Sequence, residues 1–203
     1  MKKILITLTC LLLMIQFSGC GSNEPNRSPE VHRKANTIND TKALNDSEKD
    51  ECNLELMKKN GLTVFEEQSF WVDLENWGKV KFISGWYLEE SKRVLKMGLI
   101  DHDQNILYKF SDLLEDTPWN LYKVRAISFN DINRDGKKDI IVIAEYVTGA
   151  GPTGATPFPV AGIYFQKDKE FVRVQKLDEQ ITDFESIDMI LKFVEGKDIK
   201  INN

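Results

Sequence analysis

The chain divides into three parts by its pattern of apolar and polar residues. Residues 4–17 form an uncharged, mostly apolar run, and residues 21–50 are polar, rich in Asn, Ser and Asp, and free of aromatic side chains. From residue 63 onward, β-branched and aromatic residues alternate with short polar clusters, a pattern typical of β-strands separated by turns. The pattern therefore predicts one β-rich domain over residues 51–203, preceded by two segments that lie outside its core.

Eight apolar segments of the third part have the length and composition of β-strands. The polar clusters at 101–105 and 167–169 predict hairpin turns between consecutive strands. Residues 140–144 are apolar at every position, which predicts an internal strand covered on both faces. The predicted strands are Ser69–Leu74, Lys79–Leu88, Arg93–Asp101, Asn105–Phe110, Lys123–Phe129, Asp139–Tyr146, Val160–Gln166 and Glu170–Gln175.

Helices are predicted at both ends of this domain. The sequence predicts a short helix over residues 51–60, with three apolar side chains for packing and Gly61 at its end. Residues 184–194 place four apolar side chains on one helical stripe, which predicts a helix packed on the sheet. The predicted fold class is mainly β, with α+β as the alternative: a single antiparallel β-rich domain with a short N-terminal helix and a packed C-terminal helix. The packing residues are Leu54, Leu56 and Met57, then Ile187, Ile190, Leu191 and Val194.

The first nineteen residues have the features of a secretory signal peptide. Lys2 and Lys3 precede the apolar run, and small residues follow it. The run is shorter than the roughly 20 residues that a membrane-spanning helix needs. Its end, Phe17-Ser18-Gly19-Cys20, resembles the lipobox of bacterial lipoproteins. An ordinary secreted protein and an uncleaved anchor are the alternatives.

The lipobox resemblance implies cleavage before Cys20 and a diacylglycerol on its thiol. It also implies a location on the cell membrane or the outer membrane, facing outside the cytoplasm. Residues 20–50 are then a lipid-anchored flexible linker, because so polar a segment buries too little apolar surface to offset the entropy of ordering its backbone. The expected partner at this end of the chain is the membrane itself.

Charge and cysteine content narrow the choice of partners. The net charge of −5 and the missing basic patch predict that the chain does not bind nucleic acid. The lipobox resemblance implies that, of the three cysteines, Cys10 leaves with the signal peptide and Cys20 carries lipid, so that only Cys52 would remain as a thiol. The mature domain can therefore form no intramolecular disulfide, whereas a disulfide between molecules stays open.

One segment carries a recognisable pattern of oxygen ligands. Asp131, Asn133, Asp135, Gly136 and Asp139 follow the order D-x-N-x-D-G-x-x-D. Calcium takes six to eight hard oxygen ligands, and alternate side chains of a tight loop can point inward together. The glycine permits the sharp turn. A polar turn whose side chains bind only their own backbone is the alternative.

The residues around this loop distinguish two families of calcium site. An EF-hand carries Glu at position twelve and is flanked by helices, whereas position twelve here is Val142 in a β-branched run. The order strand, loop, strand resembles the calcium loops of FG-GAP and VCBS-type repeats. A propeller is not predicted, because only one such loop is found. The resemblance implies a structural Ca²⁺ bound by Asp131, Asn133, Asp135, the backbone carbonyl of Lys137, and Asp139.

Residues 147–159 are rich in Gly and Pro and connect two predicted strands. Loops longer than about 12 residues in a compact domain are usually functional or disordered. The loop lacks the residue order of a phosphate-binding P-loop. It is therefore a candidate for contact with a partner or ligand near the calcium loop, or else a wide connection. The candidate contact residues are Gly149, Gly151, Pro152, Gly154 and Phe158.

The sequence favours a non-enzymatic role. It has only two histidines, His32 in the linker and His102 in a predicted turn, and it lacks the G-x-S-x-G and H-E-x-x-H patterns. The expected function is a surface binding or accessory module with an unknown protein or ligand partner. Alternatives are a secreted hydrolase using an acid pair, or an inhibitory or immunity-type lipoprotein. The candidate acid pairs are Glu66-Glu67, Glu89-Glu90 and Asp178-Glu179.

Overall fold

The computed structural model describes residues 52–114 and 117–201. These residues belong to one compact unit built on two antiparallel sheets. The predicted signal peptide, residues 1–19, and the whole predicted linker, residues 20–50 with Cys20, lie outside the described residues. Within the described ranges, no helix is both long enough and apolar enough to cross a membrane.

The first sheet contains β1 Thr63–Val64, β2 Phe70–Leu74, β3 Gly78–Glu89, β4 Lys92–Ile100 and β5 Ile106–Lys109. The long strand β3 pairs with β1 and β2 on one side and with β4 on the other, and β4 pairs with β5. The chain enters this sheet through an isolated bridge between Asn53 and Asn105. The predicted hairpin at 101–105 is therefore also the place where the N-terminal part of the domain is attached.

The second sheet contains β6 Asn120–Asn130, β7 Asp139–Val147, β8 Phe158–Lys167 and β9 Glu170–Arg173, in that order across the sheet. Every residue of β7 except Val147 is buried. The prediction of an internal strand around 140–144 is confirmed. Its unbroken apolar run is explained by β6 and β8 on its two edges and by packed side chains on both of its faces.

Three helices complete the described part: α1 Leu54–Lys59, α2 Gln175–Ile181 and α3 Ile187–Val194, with a short 3₁₀ turn at Glu66–Gln68. The side chain of Asn53 accepts the N–H of Glu55 at the start of α1. Ser186 accepts the N–H of Met189 in the same way at the start of α3. Such caps satisfy backbone donors that a helix leaves unpaired at its N-terminus.

The core is divided into layers by the alternation of side chains along the strands. Ile140 points between the two sheets, whereas its neighbour Ile141 packs on the outer face of the second sheet with Ile181 of α2 and Ile190 of α3. A third, smaller cluster joins α1 to the opposite face of the first sheet. Full burial of one such side chain contributes about 1.5–3 kcal/mol. One strand therefore stabilises two cores.

The prediction of a mainly β fold in a single antiparallel domain is confirmed, and the structure shows that its strands form two sheets. All eight predicted strands overlap observed ones, and both predicted helices are present. The helix α2 was not predicted, and the predicted strand over 170–175 ends at Arg173 because the chain turns into that helix. Phe158 and Pro159 lie in β8 rather than in a loop, because their backbone pairs with β7.

Candidate functional site

The candidate calcium loop connects β6 to β7, whose last pair is Asn130 with Asp139. The side chain of Asp131 organises it: Oδ1 accepts the N–H of Asp135 at 3.1 Å and Oδ2 accepts the N–H of Gly136 at 3.0 Å. Gly136 has a φ of +83°, in the left-handed region that favours glycine. The first side chain of the motif therefore lies at the centre of the turn.

The next two side chains of the motif close smaller turns. Asn133 Oδ1 accepts the N–H of Asp135 at 3.2 Å, and Asp135 Oδ1 accepts the N–H of Lys137 at 2.9 Å. The other carboxylate oxygen of Asp135 lies 3.8 Å from the Lys137 ammonium group. These bonds are the side-chain to backbone contacts expected of a polar turn.

Asp139, the last residue of the motif, is fully buried. Its Oδ2 accepts the N–H of Ile132 at 2.9 Å and its Oδ1 accepts the N–H of Gln166 at 3.0 Å. Burial raises the pKa of Asp139 to about 6 despite these bonds, and the negative charge of Asp135 acts in the same direction. No described cationic side chain forms an ion pair with this carboxylate. Among the described contacts, the Asp139 carboxylate is therefore held by backbone N–H groups and not by a cationic side chain.

The donor set suits a hard cation, although its acids are not gathered around one point. Among the described residues, no group of three or more His, Cys, Asp and Glu side chains is arranged to hold a metal. Asp131, Asp135 and Asp139 each accept hydrogen bonds from backbone N–H groups instead. A carboxylate offers about four lone-pair sites, so each keeps some acceptor capacity. With the amide oxygen of Asn133 and the carbonyl of Lys137, the loop offers the oxygen chemistry that Ca²⁺ requires.

Two residues beside the loop were missed by sequence reasoning. Glu75, in the turn between β2 and β3, accepts the backbone N–H of Lys138 at 2.8 Å and its ammonium group at 2.7 Å. Gln166 on β8 donates its side-chain amide to Glu75 at 3.2 Å. Desolvation alone would raise the pKa of Glu75, but these bonds, led by the one from the Lys138 side chain, hold it at about 2. The first sheet is thereby bonded to the loop of the second.

The Gly- and Pro-rich segment is a connection held by its own backbone. Gly149 donates its N–H to the carbonyl of Gly154 at 2.8 Å, and Gly154 donates to that of Gly151 at 3.2 Å. Pro152 is exposed. Phe158 is half-buried, with its ring 5.0 Å from Trp119 in an edge contact. The loop itself therefore spans 148–157, and of the predicted contact residues Phe158 belongs to the strand.

A cleft with a volume of about 680 Å³ lies between α2 and the segment 111–114. It includes the acid pair Asp178 and Glu179, but none of its described lining residues is aromatic. Asp178 accepts Arg173 Nε at 2.9 Å and the N–H of Ile163 at 3.1 Å. Burial raises its pKa, against the opposing charge of Arg173. Both of its oxygens thus serve structural contacts.

The remaining predicted residues lie at the surface of the domain. Glu66 lies within 4 Å of Lys58 and Lys81, and Glu89 forms an ion pair with Lys96 at 2.9 Å. Cys52 is exposed and forms no disulfide within the described residues.

Comparison with protein-family models, with curated proteins and with solved structures gave no match.

Proposed function

We propose that the chain is an extracytoplasmic lipoprotein, anchored through lipid on Cys20, whose β domain binds one structural Ca²⁺ in the 131–139 loop. The observation that carries the calcium proposal is the buried carboxylate of Asp139 at the end of an oxygen-rich turn. It lies close to Asp135 and has no cationic partner among the residues that the structure describes. The signal-peptide pattern and the lipobox resemblance of residues 1–20 support the anchor.

A bound Ca²⁺ would neutralise this negative charge and join the ends of β6 and β7. Its proposed ligands are the side chains of Asp131, Asn133, Asp135 and Asp139 with the backbone carbonyl of Lys137. Extracellular modules bind calcium with dissociation constants of roughly 10⁻⁴–10⁻³ M. Because only the folded chain presents the loop, calcium at about 100 times its Kd would add about 2.7 kcal/mol to the free energy of unfolding.

The remaining part of the proposal is a binding or accessory role outside the cytoplasm. The domain offers the exposed loop 148–157, which is tied to itself by backbone hydrogen bonds and so presents a defined surface to a protein or ligand. Pro152 is exposed in this loop. Nucleic acid is not proposed as the partner, because the net charge of the chain is −5.

Deletion of residues 150–153 should leave the melting temperature little changed and should abolish binding of a partner recovered by crosslinking on intact cells. A partner retained by the deletion variant would exclude this loop as the contact surface.

The anchor is tested by lipid labelling and cell fractionation. Full-length wild-type chain and a Cys20→Ser variant are expressed in a bacterial host fed with labelled palmitate, beside Cys52→Ser as the matched control. The wild type and the control should carry label and sediment with membranes, and the Cys20→Ser variant should do neither. Label on the Cys20→Ser variant, or none on the wild type, would exclude lipidation at this cysteine.

The calcium site is tested by calorimetric titration. An Asp131→Ala, Asp135→Ala double variant removes two proposed ligands, and an Asp101→Ala, Asp103→Ala variant removes the same charge from the other polar turn. About one equivalent should bind to the wild type and to the control, with loss in the first variant. No heat and no melting shift at millimolar calcium would show that the loop is only a polar turn.

A further inference from the structure

The backbone amide at position eight of the loop is bonded outside the loop. Lys138 donates its N–H to Glu75 Oε2 at 2.8 Å. A peptide group is planar and trans, so its N–H and its carbonyl point in opposite directions. The carbonyl of this same peptide group belongs to Lys137, which is the proposed backbone ligand at position seven. Glu75 therefore directs the Lys137 oxygen away from itself.

Glu75 is itself held by contacts from both sheets. Its Oε1 accepts the Lys138 ammonium group at 2.7 Å, and that ammonium group also reaches the Asp73 carbonyl at 2.9 Å. Gln166 donates its amide to Glu75 and accepts the N–H of Asn76 at 3.4 Å. Gln166 is fully buried, so its position is set by packing. A side chain held in this way has little freedom to release the peptide group that it binds.

The bonds to Glu75 also affect the electron density and geometry of the loop. A carboxylate that accepts a peptide N–H makes a charge-assisted hydrogen bond, which is stronger than a neutral one. Such a bond polarises the peptide group and leaves more negative charge on its carbonyl oxygen. The backbone N–H of Gln166 meanwhile binds Asp139 Oδ1 at 3.0 Å. Positions seven and nine of the loop are therefore both connected, through Glu75 and Gln166, to one network.

We infer that Glu75 is a positioning residue for the calcium loop: it holds the peptide group between Lys137 and Lys138 so that the carbonyl oxygen is available to a cation on the side away from Glu75. Gln166 links this carboxylate to Asp139. The inference rests on the proposed calcium site. Its consequence is that the first sheet contributes to the cation affinity of a loop that belongs to the second.

The test compares calcium affinities of the full chain, purified in detergent, at a temperature where every variant is folded. Glu75→Ala should raise the Kd for calcium about tenfold or more, the usual effect of losing an outer-shell partner. Glu75→Gln keeps an oxygen acceptor but loses the charge, so its Kd should lie between those of the wild type and Glu75→Ala. It also provides a measurement should the alanine variant fail to fold.

Two controls separate positioning from stability and from charge. Glu145→Gln makes the same change on β7 and breaks the contacts with Arg125 at 3.1 Å and Lys123 at 3.4 Å, so it should leave the Kd unchanged. Lys138→Ala removes the ammonium group but keeps the backbone N–H on Glu75, so it should raise the Kd by less than Glu75→Ala does. A merely structural Glu75 would lower the melting temperature without changing the Kd.

Three outcomes would overturn the inference, and they differ in whether the proposed calcium site fails with it. If the wild type binds calcium and Glu75→Ala binds it as Glu145→Gln does, the inference fails while the calcium site stands. If Lys138→Ala weakens binding as much as Glu75→Ala, the ion pair rather than the peptide group is responsible. If the wild type binds no calcium, the proposed site and the inference fall together.

Discussion

The hydroxyl of Tyr146 donates a 3.0 Å hydrogen bond to Asp112 Oδ1. Tyr146 belongs to β7 of the second sheet, whereas Asp112 lies in the segment that follows β5 of the first. The N–H of Leu114 is bonded to the same oxygen at 3.3 Å. Burial raises the pKa of Asp112 above its ordinary value of 3.8, although both bonds oppose the shift. A carboxylate thus joins the two sheets at the cost of its own desolvation.

The pKa of Asp112 predicts a pH dependence of folding. Because the folded-state pKa lies above the unfolded value, the folded chain binds the proton more tightly, and the stability from this group is fully present below about 3.8 and lost as pH rises through the folded pKa. Asp112→Asn keeps an oxygen for Tyr146 but carries no charge. At pH 7 it should be at least as stable as the wild type, with the difference vanishing at low pH.

Denaturant unfolding at a series of pH values checks this prediction. Asp198→Asn, a change at a side chain that is 80% exposed, serves as the control and should show no such trend. An Asp112→Asn variant that is less stable than the wild type at pH 7, by a margin that grows with pH, would show that the ionised carboxylate stabilises the fold.

Backbone strain at the candidate loop gives a second prediction. An added Cβ at Gly136 meets no atom within 4 Å, so a substitution there changes only the backbone preference at φ +83°. Gly136→Ala should cost about 1–2 kcal/mol of unfolding free energy, and Gly136→Asn less, because Asn tolerates the left-handed region. Thermal unfolding in EGTA measures this without any cation. Equal stability of the alanine variant and the wild type would show that the turn does not need this conformation.

Local patterns predicted most of the strands because alternation and turn residues report directly on burial and pairing. The apolar run 140–144 predicted an internal strand, and β7 has that position. The helix α2 was not predicted because no Gly or Pro separates it from β9, and Val174 before it makes no side-chain cap. Its Leu177 and Ile181 are four residues apart and both buried, and this apolar spacing is the sequence pattern that indicates the helix.

The candidate loop could be predicted because its residues are contiguous, whereas its surroundings could not. Lys138 and Glu75 are 63 residues apart in the chain, and Gln166 lies 27 residues beyond Asp139. Sequence spacing contains no information on contacts over such separations. The sheet pairing creates them, since it brings the turn after β2 and the end of β8 to the same end of the domain. The pattern of candidate ligands was therefore visible in the sequence, but the contacts of Glu75 and Gln166 with the loop were not.

The close approach of Leu113 and Arg173 to β8 gives a third prediction. A Cβ built at Gly162 would lie 2.7 Å from Leu113 Cδ2 and 3.2 Å from Arg173 Nη2. Leu113 is buried and its side chain would have to shift, so Gly162→Ala should destabilise the fold by about 1–3 kcal/mol. Combining it with Leu113→Ala should cost less than the sum of the single variants, because the shorter side chain relieves the overlap. Strict additivity in chemical denaturation would contradict this account.

The pair of Arg173 and Asp178 gives the last prediction. Arg173 Nε binds Asp178 at 2.9 Å, and Nη1 donates to the carbonyls of Asp112 and Leu113 at 2.8 and 3.2 Å. The side chains are only 22% and 10% exposed, so replacing Arg173 by Met leaves a buried carboxylate without its partner. Removing one partner of a buried pair costs about 3–5 kcal/mol.

Adding Asp178→Asn to Arg173→Met should restore part of this loss, because the buried charge is then gone while the oxygen that accepts the N–H of Ile163 remains. Lys200→Met, which breaks an ion pair between side chains 78% and 80% exposed, should change stability little and serves as the control. The measurement is urea unfolding of all four proteins. If the double variant is no more stable than Arg173→Met, the lost stability comes from the hydrogen bonds of Arg173 to the two carbonyls and not from the unpaired Asp178 carboxylate. Arg173 then stabilises the fold by joining β9 to the segment 111–114.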